Sequence, residues 1–280
     1  MLLMLNKIVL FFKTKWIFDS IKNTNFLIIG HDNSNLIIKI LSLASVEVVS
    51  FKILNLNIIF KLLLSGKKIN KLNYFIKSIQ LINPKIVLTT IDNDIDFYRL
   101  KNFFPNKKFV SIQNGYRTEN KKAFLIKKGE KLQCDLIFCW GKQNIKYYKS
   151  IIKAKIVPIG SLKNNLLPLK KIKKKKIITY ISEFRPIDEN SKINFFNQGE
   201  IFWRDTLISD KKLVKQIYFY YKKNDLKFYI LGRYNDYRKF KEIDFYDKII
   251  GKKNFIYIPK KNYLSSYHSL IKSEIIFSMS

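Results

Sequence analysis

What the chain lacks narrows its chemistry first. Its 280 residues contain two histidines, His31 and His268, and two cysteines, Cys134 and Cys139. So few imidazoles speak against a His-built metal site or a histidine-centred catalytic triad. The cysteines lie five apart in one apolar run and match neither a C-x-x-C redox motif nor a zinc spacing. On a regular strand they would point to opposite faces, and they read as free thiols of a reducing compartment. No G-x-G-x-x-G is present, which speaks against a nicotinamide cofactor; no cofactor and no bound metal are expected. Long apolar runs are missing too. Met1–Phe12 is interrupted by Asn6 and Lys7, falls below the ~20 residues of a spanning helix and has no small-residue cleavage site. The expectation is a soluble or peripheral protein of the cytoplasm.

Acidic residues are scarce: 21 Asp+Glu stand against 53 Lys+Arg, a formal net charge of +32. Such an excess points to nucleic acid or an anionic membrane surface. The lysines are nevertheless spread through the chain beside abundant Ile and Asn, as an AT-rich coding bias would also produce. Whatever its origin, the charge predicts salt-sensitive binding to anionic lipid vesicles, with screening setting in near ~0.1 M ionic strength.

The chain repeats one pattern many times: a short run of Ile, Val and Phe ends in Gly, Asn, Asp or Ser, and a helical segment follows. Six such runs fill the first half, at Phe26–Gly30, Val46–Ser50, Lys85–Asp92, Phe109–Gly115, Cys134–Gly141 and Lys155–Ser161. Runs apolar on both faces read as parallel strands. Crossover helices are predicted over Asn57–Leu64, Lys71–Ile82, Phe97–Phe104 and Gln143–Ile152. A basic, Pro-containing stretch, Leu166–Lys176, reads as an interdomain linker or as a phosphate or import patch. Strands at Lys176–Ser182, Lys227–Gly232, Phe255–Pro259 and Glu274–Ser280 follow, with helices over Asp210–Lys223, Arg238–Ile249 and Tyr263–Lys272. The predicted fold class is α/β: two Rossmann-like domains with parallel sheets facing a cleft, residues 1–165 and 177–280, joined by 166–176. The second sheet has only four candidate strands, so the C-terminal domain is expected to be incomplete.

Ligands in such sheets settle outside the carboxyl ends of the strands, so candidate residues are sought there. The clearest stretch is Lys108–Arg117, KFVSIQNGYR, where a buried strand ends in Gln113, Asn114 and Gly115, with Arg117 beyond. An Asn-Gly hairpin turn is the plainer reading, although the residues that follow do not alternate. After the first strand, His31 could act as a general base and Asn33 as a ligand contact, or the segment could simply cap a helix. After the third strand, Asp92, Asn93 and their acidic neighbours either hold a divalent ion or cap the next helix, whose N-terminal dipole they offset. Asp92 is the second catalytic candidate. Gly160 and Ser161 close the first domain, while Ser182 and Arg185 open the second, with Gly232 and Arg233 at its next strand end. Backbone N–H groups and guanidinium groups there suit a phosphate; Arg185 could equally pair with a carboxylate.

The order IDND, FVSIQNGYR, LIFCWG, IGSLKNN, ITYISEFR and IIFSMS resembles the bacterial surface-carbohydrate (O-antigen) biosynthesis proteins, from about Phe26 onward. Those look like two-domain glycosyltransferases of the B fold, distantly similar to CDP-glycerol glycerophosphotransferases and UDP-N-acetylglucosamine 2-epimerases. The resemblance implies transfer of a sugar or polyol phosphate from a nucleotide-activated donor, held mainly by the second domain, to a carbohydrate or lipid-linked acceptor held by the first. Ser278 and Ser280 fall at the last strand end, where the family continues into a small-residue loop, a Gly and a Glu of the donor site. Their absence here leads to the expectation of a fragment that does not turn over substrate. The remaining readings are a noncatalytic peripheral component of a polysaccharide assembly complex and a nucleic-acid-binding protein. The latter would need a concentrated basic stripe with aromatics, which the scattered lysines do not form.

Overall fold

The computed structural model describes residues 15–30, 33–43, 45–115, 117, 132–167, 172–195, 199–262 and 264–278. Its contacts divide the chain into two units, Met1–Ser161 and Leu162–Ser280. In the first unit the six apolar runs become β2 (Phe26–Ile29), β3 (Val46–Val49), β5 (Ile86–Thr89), β6 (Lys108–Ile112), β7 (Leu132–Cys139) and β8 (Ile152–Pro158). They pair in parallel in the order β3-β2-β5-β6-β7-β8. A short pair, β1 (Lys15–Ile17) with β4 (Ile53–Asn55), lies outside that sheet.

Helices α1 (Ser34–Ile40), α2 (Leu56–Leu64), α3 (Lys71–Ile82), α4 (Ile95–Phe103) and α5 (Lys142–Lys149) make the crossovers. Side chains fix their starts: Asn55 accepts from Asn57 N ahead of α2, Asn70 from Asn73 N ahead of α3, and Asp94 from Asp96 N ahead of α4. At the far end of α3, Asn83 turns left-handed (φ 50°) and Pro84 follows, so the helix cannot continue. The core of this unit packs Tyr74, Phe75 and Ile79 of α3 and Phe97, Tyr98 and Leu100 of α4 on Leu27, Val87, Phe109 and Ile137 of the sheet.

The second unit has a sheet of its own, parallel throughout and ordered β13-β12-β9-β14, made of β9 (Lys175–Ile181), β12 (Lys227–Leu231), β13 (Ile256–Ile258) and β14 (Ser273–Ser278). Its helices are α6 (Leu162–Asn165), α7 (Trp203–Lys223), α8 (Arg238–Ile250) and α9 (Ser265–Leu270). Ile178, Tyr180, Trp203, Val214, Phe228 and Tyr246 form its core. Each unit is therefore a Rossmann-like α/β layer structure around a parallel sheet. No helix among the described residues is long and apolar enough to cross a membrane.

Several expectations need correction. Register shifts between Gln133 and Leu136 of β7, so the burial alternation changes phase and both cysteines enter the same core cluster instead of opposite faces. The two are free thiols, and burial pushes Cys134 up to about 12. An antiparallel hairpin, β10 (Lys192–Phe195) with β11 (Gly199–Phe202), precedes α7, which starts at Trp203 rather than Asp210. Strand β9 begins at Lys175, inside the stretch expected to be linker, and α5 ends before Ile152, which opens β8.

Candidate functional site

In the first sheet β3 lies on one side of β2 and β5 on the other. The chain thus leaves β2 in opposite directions, and at such a switch point a crevice opens beyond the carboxyl ends of the strands. Three loops meet there. Gly30 ends β2 with φ 98°, and a Cβ on it would come within 2.6 Å of Ile91 Cδ1, so only glycine lets the β2 and β5 loops approach this closely. Asn33, left-handed at φ 60°, stands at the N-cap position of α1, and its amide Nδ2 donates to Asn114 Oδ1 at 2.7 Å, linking the loops after β2 and β6.

Asp92 sits at the centre and is 0% exposed. Its Oδ1 accepts from Asn114 N at 2.9 Å and from Arg117 Nη2 at 2.6 Å; its Oδ2 accepts from Arg117 Nε and Tyr148 Oη, both at 2.6 Å. Beneath it, Tyr98 Oη donates to the Asp92 carbonyl at 2.7 Å and lies 2.9 Å from Ser111 Oγ. Four hydrogen bonds thus satisfy the two carboxylate oxygens that burial removes from water. Burial disfavours the Arg117 charge, but the hydrogen bonds and charge of Asp92 outweigh it and raise its affinity for the proton. Burial, then the Asp92 charge, holds the Tyr148 phenol protonated far above its usual range. Enclosed in this way, Asp92 holds Arg117 and the Asn114 backbone in place. Asn93 beside it is exposed.

Gln113 also turns inward. Its Oε1 accepts from Trp140 N at 2.8 Å, its Nε2 donates to Gly115 O at 2.9 Å, and the Trp140 indole donates to the Gln113 carbonyl at 3.0 Å. It ties the ends of β6 and β7 together and is buried, so the outward-facing amide of the QNG stretch is Asn114. The acidic neighbours act as the capping alternative foresaw: Asp94 caps α4 and pairs with Lys71 at 2.6 Å, while Asp96 pairs with Arg99 at 3.0 Å. Burial raises the Asp94 carboxyl against the pull of Lys71. Among the described residues no three His, Cys, Asp or Glu side chains gather as a metal cluster would.

In the second sheet the switch falls between β9 and β14, on either side of which the chain moves. Ser182, after β9, is buried; its Oγ lies 2.8 Å from Tyr246 Oη and accepts from Phe184 N at 3.2 Å, so it belongs to the core rather than to the surface. Tyr246 Oη donates to Asp210 Oδ2 at 3.2 Å, and Tyr180 Oη donates to Asp210 Oδ1. Burial pushes this Asp210 carboxyl up to about 6. Glu183 pairs with Arg233 at 2.8 Å, joining the ends of β9 and β12. The Arg233 N–H points at both oxygens of the fully buried Glu242, at 3.1 Å each, and Tyr257 Oη donates to the same carboxylate at 2.5 Å. Gly232 is obligatory here because a Cβ would fall 1.9 Å from Tyr257 Oη. Arg185 lies 5.6 Å over the Trp203 ring, and its buried Nε has no hydrogen-bond partner among the described residues.

Of the residues expected from sequence, Asn33, Asp92, Asn114, Gly115 and Arg117 come together, as do Gly232 and Arg233 with Glu183. Gly160 (φ 80°) and Ser161 stand after β8, at the edge of the first sheet and away from Asp92. Ser278 ends β14, exposed, opposite Ile181. His31 and Ser280 lie outside the described residues. Sequence reasoning missed Tyr98, Tyr148, Trp140, Asp210 and Glu242. Each lies within or after an element whose spacing marks it only as core, and no local signal distinguishes it.

No curated protein matches the chain. Among solved structures it is similar to the UDP-GlcNAc 2-epimerase from Methanocaldococcus jannaschii, with a TM-score of 0.48 and 13% identity over 91% of this chain and 78% of that one. A protein family described as "putative O-antigen biosynthesis protein" matches residues 110–280, from β6 through both edges of the second sheet. That match covers more than half of the sequence, and the chain belongs to this family of O-antigen biosynthesis proteins.

Proposed function

We propose that the chain is a glycosyltransferase-like enzyme of bacterial surface-polysaccharide biosynthesis, transferring a sugar or polyol phosphate from a nucleotide-activated donor to a carbohydrate or lipid-linked acceptor. The observation that carries this reading is the polar constellation at the first switch point. Asp92 holds Arg117 and the Asn114 backbone, with Tyr148 as a third partner, and Asn114 and Asn33 present amides at the strand ends. Paired amides and a fixed guanidinium suit hydroxyls and an anionic group, the chemistry of a sugar or polyol phosphate acceptor. In the second unit Arg185 has an unsatisfied buried Nε, and Arg233 is held by Glu183 and Glu242 at the neighbouring strand end.

When the acceptor hydroxyl attacks and the bond from the transferred group to the donor phosphate breaks, negative charge grows on the departing nucleotide. Guanidinium groups placed in advance stabilise that charge most where water is excluded. His31 is the candidate base for the hydroxyl proton. Family membership and the net charge of +32 support placement at the inner face of the cell membrane, where lipid-linked acceptors are found.

Calorimetric titration of the whole chain with nucleoside diphosphate sugars and CDP-glycerol tests the reading. At least one donor should bind, and Arg185→Gln should weaken it about tenfold or more while leaving the unfolding midpoint near that of the wild type. Absence of binding across the panel, or equal binding by Arg185→Gln and Arg233→Gln, would overturn it.

A further inference from the structure

Helix α2 is apolar almost all round, yet only one side of it is covered. Ile58, Ile59 and Leu62 are buried against the first unit, whereas Phe60 is 61% exposed, Leu63 55% and Leu64 72%, with Leu56 exposed as well. At 100° per residue, Leu56, Phe60, Leu63 and Leu64 fall on one stripe about 100° wide. Phe18, also exposed, adjoins its start, where the Asp19 carbonyl accepts from Asn57 Nδ2 at 3.0 Å. An unbroken outward stripe of large side chains on a helix is not the scattered exposure that any surface shows.

The charge around it selects the partner. Between Glu47 and Asp92 the sequence holds seven lysines and no acidic residue. Lys52 precedes the helix, Lys61 flanks the stripe, Lys67 and Lys68 follow its end, and all four are exposed. A second copy of the chain would bring the same lysines face to face, and like charges at close range oppose that contact. An anionic bilayer surface answers both features: its phosphates face the lysines, and the acyl boundary accepts phenyl and isobutyl groups. Binding to such an interface grows with the apolar area that enters it and with the attraction of nearby basic groups to anionic lipid.

We infer that α2 seats the protein on anionic lipid, with Phe60, Leu63 and Leu64 entering the headgroup–acyl boundary and Lys61, Lys67 and Lys68 facing lipid phosphates. The inference rests on the membrane placement proposed above and is independent of the sugar chemistry. It differs from attraction by net charge alone in being confined to one element and in having an apolar component.

The test is cosedimentation of the whole chain with phosphatidylcholine vesicles with and without phosphatidylglycerol. The wild type should bind only the anionic vesicles. The triple variant Phe60→Ser, Leu63→Ser, Leu64→Ser, which alters exposed side chains only, should bind about tenfold more weakly or less, with an unchanged circular dichroism spectrum. The control Phe219→Ser, on an exposed position of α7, should bind like the wild type. Failure of the wild type to bind overturns the membrane placement itself. Wild-type binding that the triple variant retains, or that Phe219→Ser reduces equally, overturns the role of α2. A wild-type dimer that the triple variant converts to monomer would put a second copy on the stripe instead.

Discussion

At the scale of single residues, two buried carboxylates give opposite predictions. Asp92 pairs with Arg117, whose side chain is only 15% exposed, and Asp92→Asn would remove the carboxylate charge that this guanidinium faces at 2.6 Å. The expected cost is about 3 kcal/mol in a denaturant titration. Adding Arg117→Met to Asp92→Asn should recover part of this, because both members of the buried pair are then gone; equal stability of the single and double variants would refute the pairing. Asp210 differs in that no ion pair to it is formed among the described residues, and burial raises its carboxyl to about 6. A carboxyl raised on folding contributes stability that is fully present below its unfolded value, near 4, and lost as pH climbs through the folded value. Wild type should therefore gain about 1 kcal/mol relative to Asp210→Asn between pH 7.5 and pH 5 in paired unfolding titrations. A difference independent of pH would show that Asp210 titrates normally.

At the scale of elements, strand and helix identities were mostly legible, because buried parallel strands are short apolar runs and their crossovers carry helical spacing. The exceptions differ in cause. The bulge in β7 is set by its pairing with β8, which a local window does not see, whereas the β10–β11 hairpin pairs residues close in sequence, from Phe195 with Gly199 to Lys192 with Phe202, and α7 starts directly after it. Loop geometry at the strand ends is sterically fixed as well. Gly232→Ala places a methyl where Tyr257 Oη and Cζ stand, at 1.9 and 2.1 Å, so the ring must leave and Glu242 loses a donor. The expected destabilisation is about 2–3 kcal/mol. The same substitution in a Tyr257→Leu background should cost much less; an undiminished cost would mean that the clash is not with Tyr257.

At the scale of the whole molecule, 53 basic side chains against 21 acidic ones oppose the compact state through self-repulsion. Raising NaCl from about 10 to 150 mM shortens the screening length from about 30 to 8 Å, so the thermal midpoint should rise over that range. A flat or falling midpoint would mean that local ion pairs, such as Lys71–Asp94 and Arg233–Glu183, outweigh the net field. The two hydrophobic cores draw on separate residues, one from Leu27 to Ile152 and the other from Ile178 to Phe255. Met1–Ser161 expressed alone should accordingly unfold cooperatively in calorimetry; a noncooperative melt would show that its core needs the second unit.

The sequence by itself determined the α/β class, the place of each strand of the two parallel sheets and the location of polar residues at strand ends, because burial and periodicity are written locally. Only the tertiary structure decided what those residues do. Asp92 read as a catalytic candidate and Gln113 as a substrate contact in sequence; in the fold Arg117 and Tyr148 hydrogen-bond to the one and Trp140 to the other, and Asn114 is the exposed amide between them. The apolar stripe of α2 was likewise legible as a helix, but not as an uncovered one. Whether an apolar side chain is buried depends on what packs over it, and in an α/β fold that neighbour is set by strand order, a property of the folded chain and not of any local segment.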